Sequence, residues 1–114
     1  MRRKFLFFLL FFTFLLNAHP PKSIDLSYDV EKATLMVKVW HKVSNPENHY
    51  IKKIVVFLGE EQVAEKTYEQ QQTAEFQEET FVFSEKPLKK GDLVQVRAYC
   101  SLSGKKTVDL EWQE

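Results

Sequence analysis

Thr34-Leu35-Met36-Val37-Lys38-Val39-Trp40-His41-Lys42-Val43 puts Leu35, Val37, Val39, His41 and Val43 at every second position. That period of two is the pattern of a β-strand with one buried face. An imidazole therefore stands in line with four aliphatic side chains, on the side expected to face the core.

The same pattern recurs outward from this segment. Leu93 to Ser101 sets Val94, Val96, Ala98 and Cys100 on one face, so the single cysteine of the chain also shares a side with core residues. Ile24 to Tyr28 reads as a short first strand, with Glu31-Lys32-Ala33 turning the chain into the second. Ser44-Asn45-Pro46-Glu47-Asn48 has loop composition, and His49 precedes a β-branched run from Tyr50 to Leu58. Gly59-Glu60 turns into Glu61 to Tyr68, three glutamines mark the next break, and Ala74 to Phe83 forms a fifth strand. Pro87 to Asp92 is a polar loop before the cysteine strand, and Ser103-Gly104 turns into a last strand, Lys106 to Trp112. No segment after residue 19 has a helical period. These blocks predict an all-β domain, an immunoglobulin-like antiparallel β-sandwich of about seven strands without the Cys…Trp…Cys signature of true immunoglobulin domains.

The first residues bear on the compartment. Arg2, Arg3 and Lys4 form a basic patch, and Phe5 to Leu16 is an apolar run broken only by Thr13. At about twelve residues it falls short of the roughly 20 that a membrane-spanning helix needs, which fits a secretory signal peptide. Asn17-Ala18 offers a small residue at the cleavage position, so residues 1–18 are expected to be removed and His19 to begin the mature chain. The protein is thus expected to be exported, periplasmic or secreted, with no stable membrane anchor after cleavage. Residues 19–114, about 96 in all, suffice for one domain with a modest core.

Of 16 basic and 16 acidic residues, three basic ones lie in the leader, leaving the mature chain slightly acidic with both signs interspersed. Such a surface does not suit a phosphate backbone, and nucleic acid is not an expected partner. One cysteine makes no intrachain disulfide, so Cys100 is a buried inert thiol, half of an intermolecular disulfide, or a metal ligand.

His19, His41, His49 and Cys100 all fall at ends of elements, where strands from both sheets of a sandwich can bring them to one rim. Imidazole nitrogens and a thiolate are the donors that bind iron, copper or zinc. Glu60-Glu61 and Glu78-Glu79 could be imagined as acid–base pairs, but at turn and strand positions they read as solvated surface. Gly59, Gly91 and Gly104 stand singly at turns, so no phosphate-binding loop is present. Trp40, Tyr50, Tyr99 and Trp112 read as core or sheet-face residues and not as a sugar-stacking platform.

Three short patches occur in an informative order: His19-Pro20-Pro21, then Asn45-Pro46-Glu47-Asn48-His49-Tyr50-Ile51, then Cys100-Ser101-Leu102-Ser103-Gly104. Together they resemble the iron-binding domain of superoxide reductases, the desulfoferrodoxin and neelaredoxin group. They look like its His-x-Pro segment, its loop ending in His-Tyr-Ile, and its Cys-Asn-Leu-His-Gly. The resemblance implies ferrous iron held by histidines in a plane with an axial thiolate, superoxide as substrate, and a small redox donor. It assigns His19, His49 and Cys100 as ligands, with His41 as a fourth. His41 stands eight residues before His49, two more than the family spacing, and Ser103 occupies the place of the family's remaining histidine. Ala18 stands where the family has a lysine.

The incomplete ligand set leaves a second reading open. A histidine at a free mature N-terminus binds a metal through both its amine and its ring. This is similar to periplasmic copper carriers and copper polysaccharide oxygenases, so copper is the alternative to iron, on a non-catalytic sandwich that binds copper or a protein partner.

Overall fold

The computed structural model describes residues 20–113; the leader and His19 lie outside that range. Seven strands follow one another with no helix among the described residues: β1 (Ser23–Asp29), β2 (Thr34–Trp40), β3 (Ile51–Leu58), β4 (Glu61–Thr67), β5 (Phe76–Val82), β6 (Leu93–Cys100) and β7 (Lys105–Glu111). They form two antiparallel sheets, β1-β2-β5 and β4-β3-β6-β7. The architecture is the immunoglobulin-like sandwich that the alternation predicts.

Both diagnostic stretches fold as their periodicity requires. Leu35, Val37, Val39, His41 and Val43 are all buried, as are Val94, Val96, Ala98 and Cys100. The inward faces of β2 and β6 meet Ile51, Ile54 and Val56 of β3 and Phe81 of β5 between the layers. Burial of these aliphatic chains is the main stabilising term, at about 1.5–3 kcal/mol for each side chain fully removed from water. Edge strand β4 contributes little to this core, since six of its seven residues are exposed.

Strand ends differ from the sequence reading by a few residues. β2 stops at Trp40 although burial alternates to Val43. Past Trp40 the pairing thins to two backbone bonds, from His41 N–H to the Glu75 carbonyl (2.9 Å) and from Val43 N–H to the Ala74 carbonyl (2.7 Å). Across the gap Thr73 folds into a tight turn whose hydroxyl accepts from the N–H groups of Glu75 and Phe76, which takes the Glu75 N–H out of the ladder and leaves only its carbonyl to pair. Leu88, inside a loop of polar composition, is buried, and its N–H donates to the Tyr28 hydroxyl (3.1 Å).

Tyr68, just beyond β4, spans to β5 of the opposite sheet. Its hydroxyl donates to Glu79 Oε1 at 2.7 Å. Partial burial, and then the neighbouring Glu79 carboxylate, hold the phenol well above its ordinary range. A phenol whose pKa is raised by folding adds stability that is complete below about pH 10, its unfolded value, and is lost as the pH climbs beyond it. Replacing Tyr68 with Phe is therefore expected to flatten the fall in denaturation midpoint between about pH 10 and 11. An alkaline slope unchanged in that variant would assign the loss to other groups.

Candidate metal centre

Each of three chemically distinctive side chains is delivered by a different element. His41 follows the last residue of β2 and keeps its inward orientation. His49 ends the Asn45–His49 loop. That loop closes on itself, with the N–H groups of Asn48 and His49 donating to the Asn45 carbonyl (3.1 and 3.0 Å) and Glu47 N–H donating to Asn45 Oδ1 (2.9 Å). The asparagine thus terminates its own turn, as this residue type does where a loop must reverse within a few residues. Cys100 is the last residue of β6, opposite Ile51 in the register.

These elements converge. One ligand atom from each of His41, His49 and Cys100 lies within 4.8 Å of the other two. His49 Nε2 stands 3.1 Å from Cys100 Sγ. The two imidazoles meet edge to face, with ring centroids 4.7 Å apart and planes at 84°. His41 and Cys100 are almost wholly shielded, at 1% and 2% exposure, while His49 is half-buried and forms the outer side of the cluster.

The donor set fits a transition metal. With bonds of about 2.1 Å to nitrogen and 2.3 Å to sulfur, donors on opposite sides of a metal stand up to about 4.4 Å apart. The present spread exceeds that by only a few tenths of an ångström, within reach of small side-chain rotations. Imidazole and thiolate together suit iron, copper and zinc and not calcium or magnesium, which take oxygen donors.

His19, the remaining sequence candidate, lies outside the described residues. Pro20, its neighbour, packs against the turn that follows Cys100. A Cβ built on Gly104 would fall 2.9 Å from Pro20 Cβ and 3.0 Å from Pro20 Cα. Ser103, in the same turn, is exposed and lines a cleft of about 340 Å³ with Lys52, Tyr99, Cys100 and Lys105. On the other side a cleft of about 470 Å³ is lined by Lys22, Trp40, His41, Lys42 and Glu75. The glutamate pairs are surface residues: Glu60, Glu61 and Glu78 are exposed, and Glu79 serves Tyr68.

One participant escapes sequence reasoning. Gln71, inside the triple glutamine that reads as a break, is 3% exposed and bonded to His41. A single buried amide leaves no periodic trace, and no local signal marks it.

Among solved structures the fold is similar to two variants of the superoxide reductase (neelaredoxin) from Ignicoccus hospitalis. The first matches with a TM-score of 0.58 and 18% identity, over 82% of this chain and 80% of that one. The second gives a TM-score of 0.48 and 15% identity, over 78% of each chain. The first likeness bears out the resemblance carried by the three sequence patches at the level of the fold. No protein-family model matches the chain, and no curated protein matches its sequence.

Gly104 has φ of +90° and no room for a methyl group beside Pro20. Replacing it with Ala is expected to cost about 1–3 kcal/mol through backbone strain and that clash. The change should also loosen the Pro20 segment, so the Lys22 N–H, which donates to the Trp40 carbonyl at 2.7 Å, should exchange with solvent faster. A denaturation midpoint and Lys22 exchange rate equal to those of the parent would show that Gly104 is not needed to seat Pro20.

Proposed function

We propose that the protein is an exported metal-binding protein of the superoxide reductase type, with His41, His49, Cys100 and His19 as donors and iron as the metal. The observation that carries this reading is the convergence of two imidazoles and the only cysteine from three separated elements onto one buried spot. The fold of the neelaredoxin from Ignicoccus hospitalis supports it. Bound there, ferrous iron would supply the electron that, with two protons, takes superoxide to hydrogen peroxide, a small redox donor then restoring the ferrous form.

The chain's own residues supply the rest. The inward faces of β2 and β6 keep water from the sulfur and from the His41 ring. Lys22 and Lys42 line the cleft beside His41 together with the single acid Glu75, so the lining keeps a net positive charge toward an approaching anion. Pro20 packs against Gly104, in the turn of Ser103 that follows Cys100, and the assignment of His19, the residue before Pro20, as a donor rests on the sequence resemblance. Ser103 stands where the family has a further imidazole, and a neutral hydroxyl is a poor substitute for one. The site is therefore a reduced version of the family's centre, with weaker metal retention and slower turnover.

The test begins with full-length protein expressed with its leader and recovered from the exported fraction. Its intact mass should correspond to residues 19–114, and its metal content should be iron, with a visible thiolate-to-iron band after oxidation. Cys100→Ser should abolish that band and leave the β-sheet circular dichroism in place. Copper in place of iron would select an N-terminal histidine site. Absence of any metal, or a spectrum unmoved by Cys100→Ser, would overturn the reading.

Restoring the family's imidazole provides a second test. Ser103→His should raise iron retention against a chelator and superoxide consumption together. A fall in both would mean that residue 103 does not face the donors.

A further inference from the structure

We propose that Gln71 is a positioning residue for the metal centre: it fixes the His41 ring in one tautomer and one orientation, making Nε2 the donor nitrogen. This rests on the metal-binding reading above.

The argument begins with the amide, whose orientation its partners determine. Gln71 Nε2 lies 2.7 Å from the His41 carbonyl oxygen and 2.8 Å from the Thr73 carbonyl oxygen. Both partners only accept, so this atom must be the NH₂ group; exchanging it with Oε1 would set three oxygens against one another. Oε1 is then assigned without choice. It accepts from the Ile51 N–H at 3.1 Å and lies 2.8 Å from His41 Nδ1.

An amide oxygen carries no hydrogen, so the short contact to Nδ1 requires the proton to be on Nδ1. In the neutral ring the lone pair then belongs to Nε2, the form in which an imidazole ligates. The hydrogen bond also fixes the ring plane, because rotation about the Cβ–Cγ bond would swing Nδ1 away from the only oxygen it reaches in the Gln71 amide. A metal-binding histidine held through its other nitrogen gains basicity as well as orientation.

Gln71 ties the ring to the rest of the site. Its own N–H donates to the Pro46 carbonyl (2.9 Å), in the loop that ends at His49. Its Oε1 partner Ile51 faces Cys100 in the β3–β6 register. One residue thus refers His41 to the loop of the second donor, through its backbone N–H, and to the strand neighbour of the third, through its amide oxygen. All four hydrogen-bonding positions of the buried amide are used, which offsets the cost of removing it from water.

The experiment has two arms. In the metal-free wild-type protein, ¹⁵N–¹H correlation of the His41 ring, at a pH where it is neutral, should show the Nδ1–H tautomer. The Nε2–H tautomer would overturn the inference without any variant being made. In the second arm cobalt(II) is titrated into wild type, Gln71→Met and the exposed-neighbour control Gln70→Met. Gln71→Met should lower cobalt affinity about 10- to 100-fold and alter the ligand-field spectrum, and the control should match wild type. Equal affinity and an identical spectrum in Gln71→Met would overturn this inference alone. Wild type that takes up no cobalt would overturn the metal reading and this inference with it. Should Gln71→Met fail to fold, the tautomer of the wild-type ring decides.

Discussion

At the end of the β3–β6 pairing Ile51 faces Cys100, and two further bonds carry that pairing into the loops: Ser101 N–H to the Tyr50 carbonyl (2.8 Å) and Tyr50 N–H to Ser101 Oγ (3.1 Å). Because His49 is only two residues from Ile51, these bonds hold its backbone close to that of Cys100. The register shift between Ile51 and Lys53 belongs to the same constraint. Without it, residues of the parity of Ile51 would continue inward, and Lys53 would replace Ile54 in the core. An irregularity of this kind commonly re-aims a side chain beside a functional site. Here it lets the strand bury Ile51 next to the thiol and still present Ile54 and Val56 to the opposite sheet.

Donors held in this way have little freedom to rearrange. His41 directly follows β2 and Cys100 closes β6, both buried, and donors placed on or next to strands keep their geometry better than donors on mobile loops. His49 lies at the end of a loop, and the Asn45 turn restrains it from within. Burial of two imidazoles and a thiol at one spot is unfavourable for stability taken alone, since each brings polar atoms into an apolar layer. That cost is reasonable where the groups have a shared ligand, and the fully bonded Gln71 amide offsets part of it.

Much of the fold could be read from the chain because β2 and β6 are strict alternators, and alternation states which side of a strand is buried before any partner is known. The same rule reached His41 and Cys100, whose inward placement follows from Leu35, Val37 and Val39 in one strand and Val94, Val96 and Ala98 in the other. What the rule could not reach was pairing across the sandwich. That His41 meets His49 depends on the Asn45 turn and on the crossing from β2 to β3, both tertiary. Gln71 was out of reach for a stronger reason. Four of the five groups it bonds, counting its backbone N–H, are main-chain atoms, present at every position, so nothing in their side chains announces the partnership. His19 and the leader rest on sequence alone.

The exposed strand β4 has a consequence for how the protein behaves in crowded surroundings. It borders the four-stranded sheet with Glu61, Glu65 and Lys66 along a run of seven residues, and β7 at the other border carries Lys105, Lys106, Asp109 and Glu111. An open strand border is a template on which another chain can add a strand, and charge placed along it makes such addition electrostatically unfavourable. A domain with no disulfide, and with some of its apolar surface left uncovered at Met36 and Val82, gains colloidal safety from those borders. The borders thus act as gatekeepers against fibrillar self-association, a role that tolerates exchange of one charged residue for another but not loss of the charges altogether.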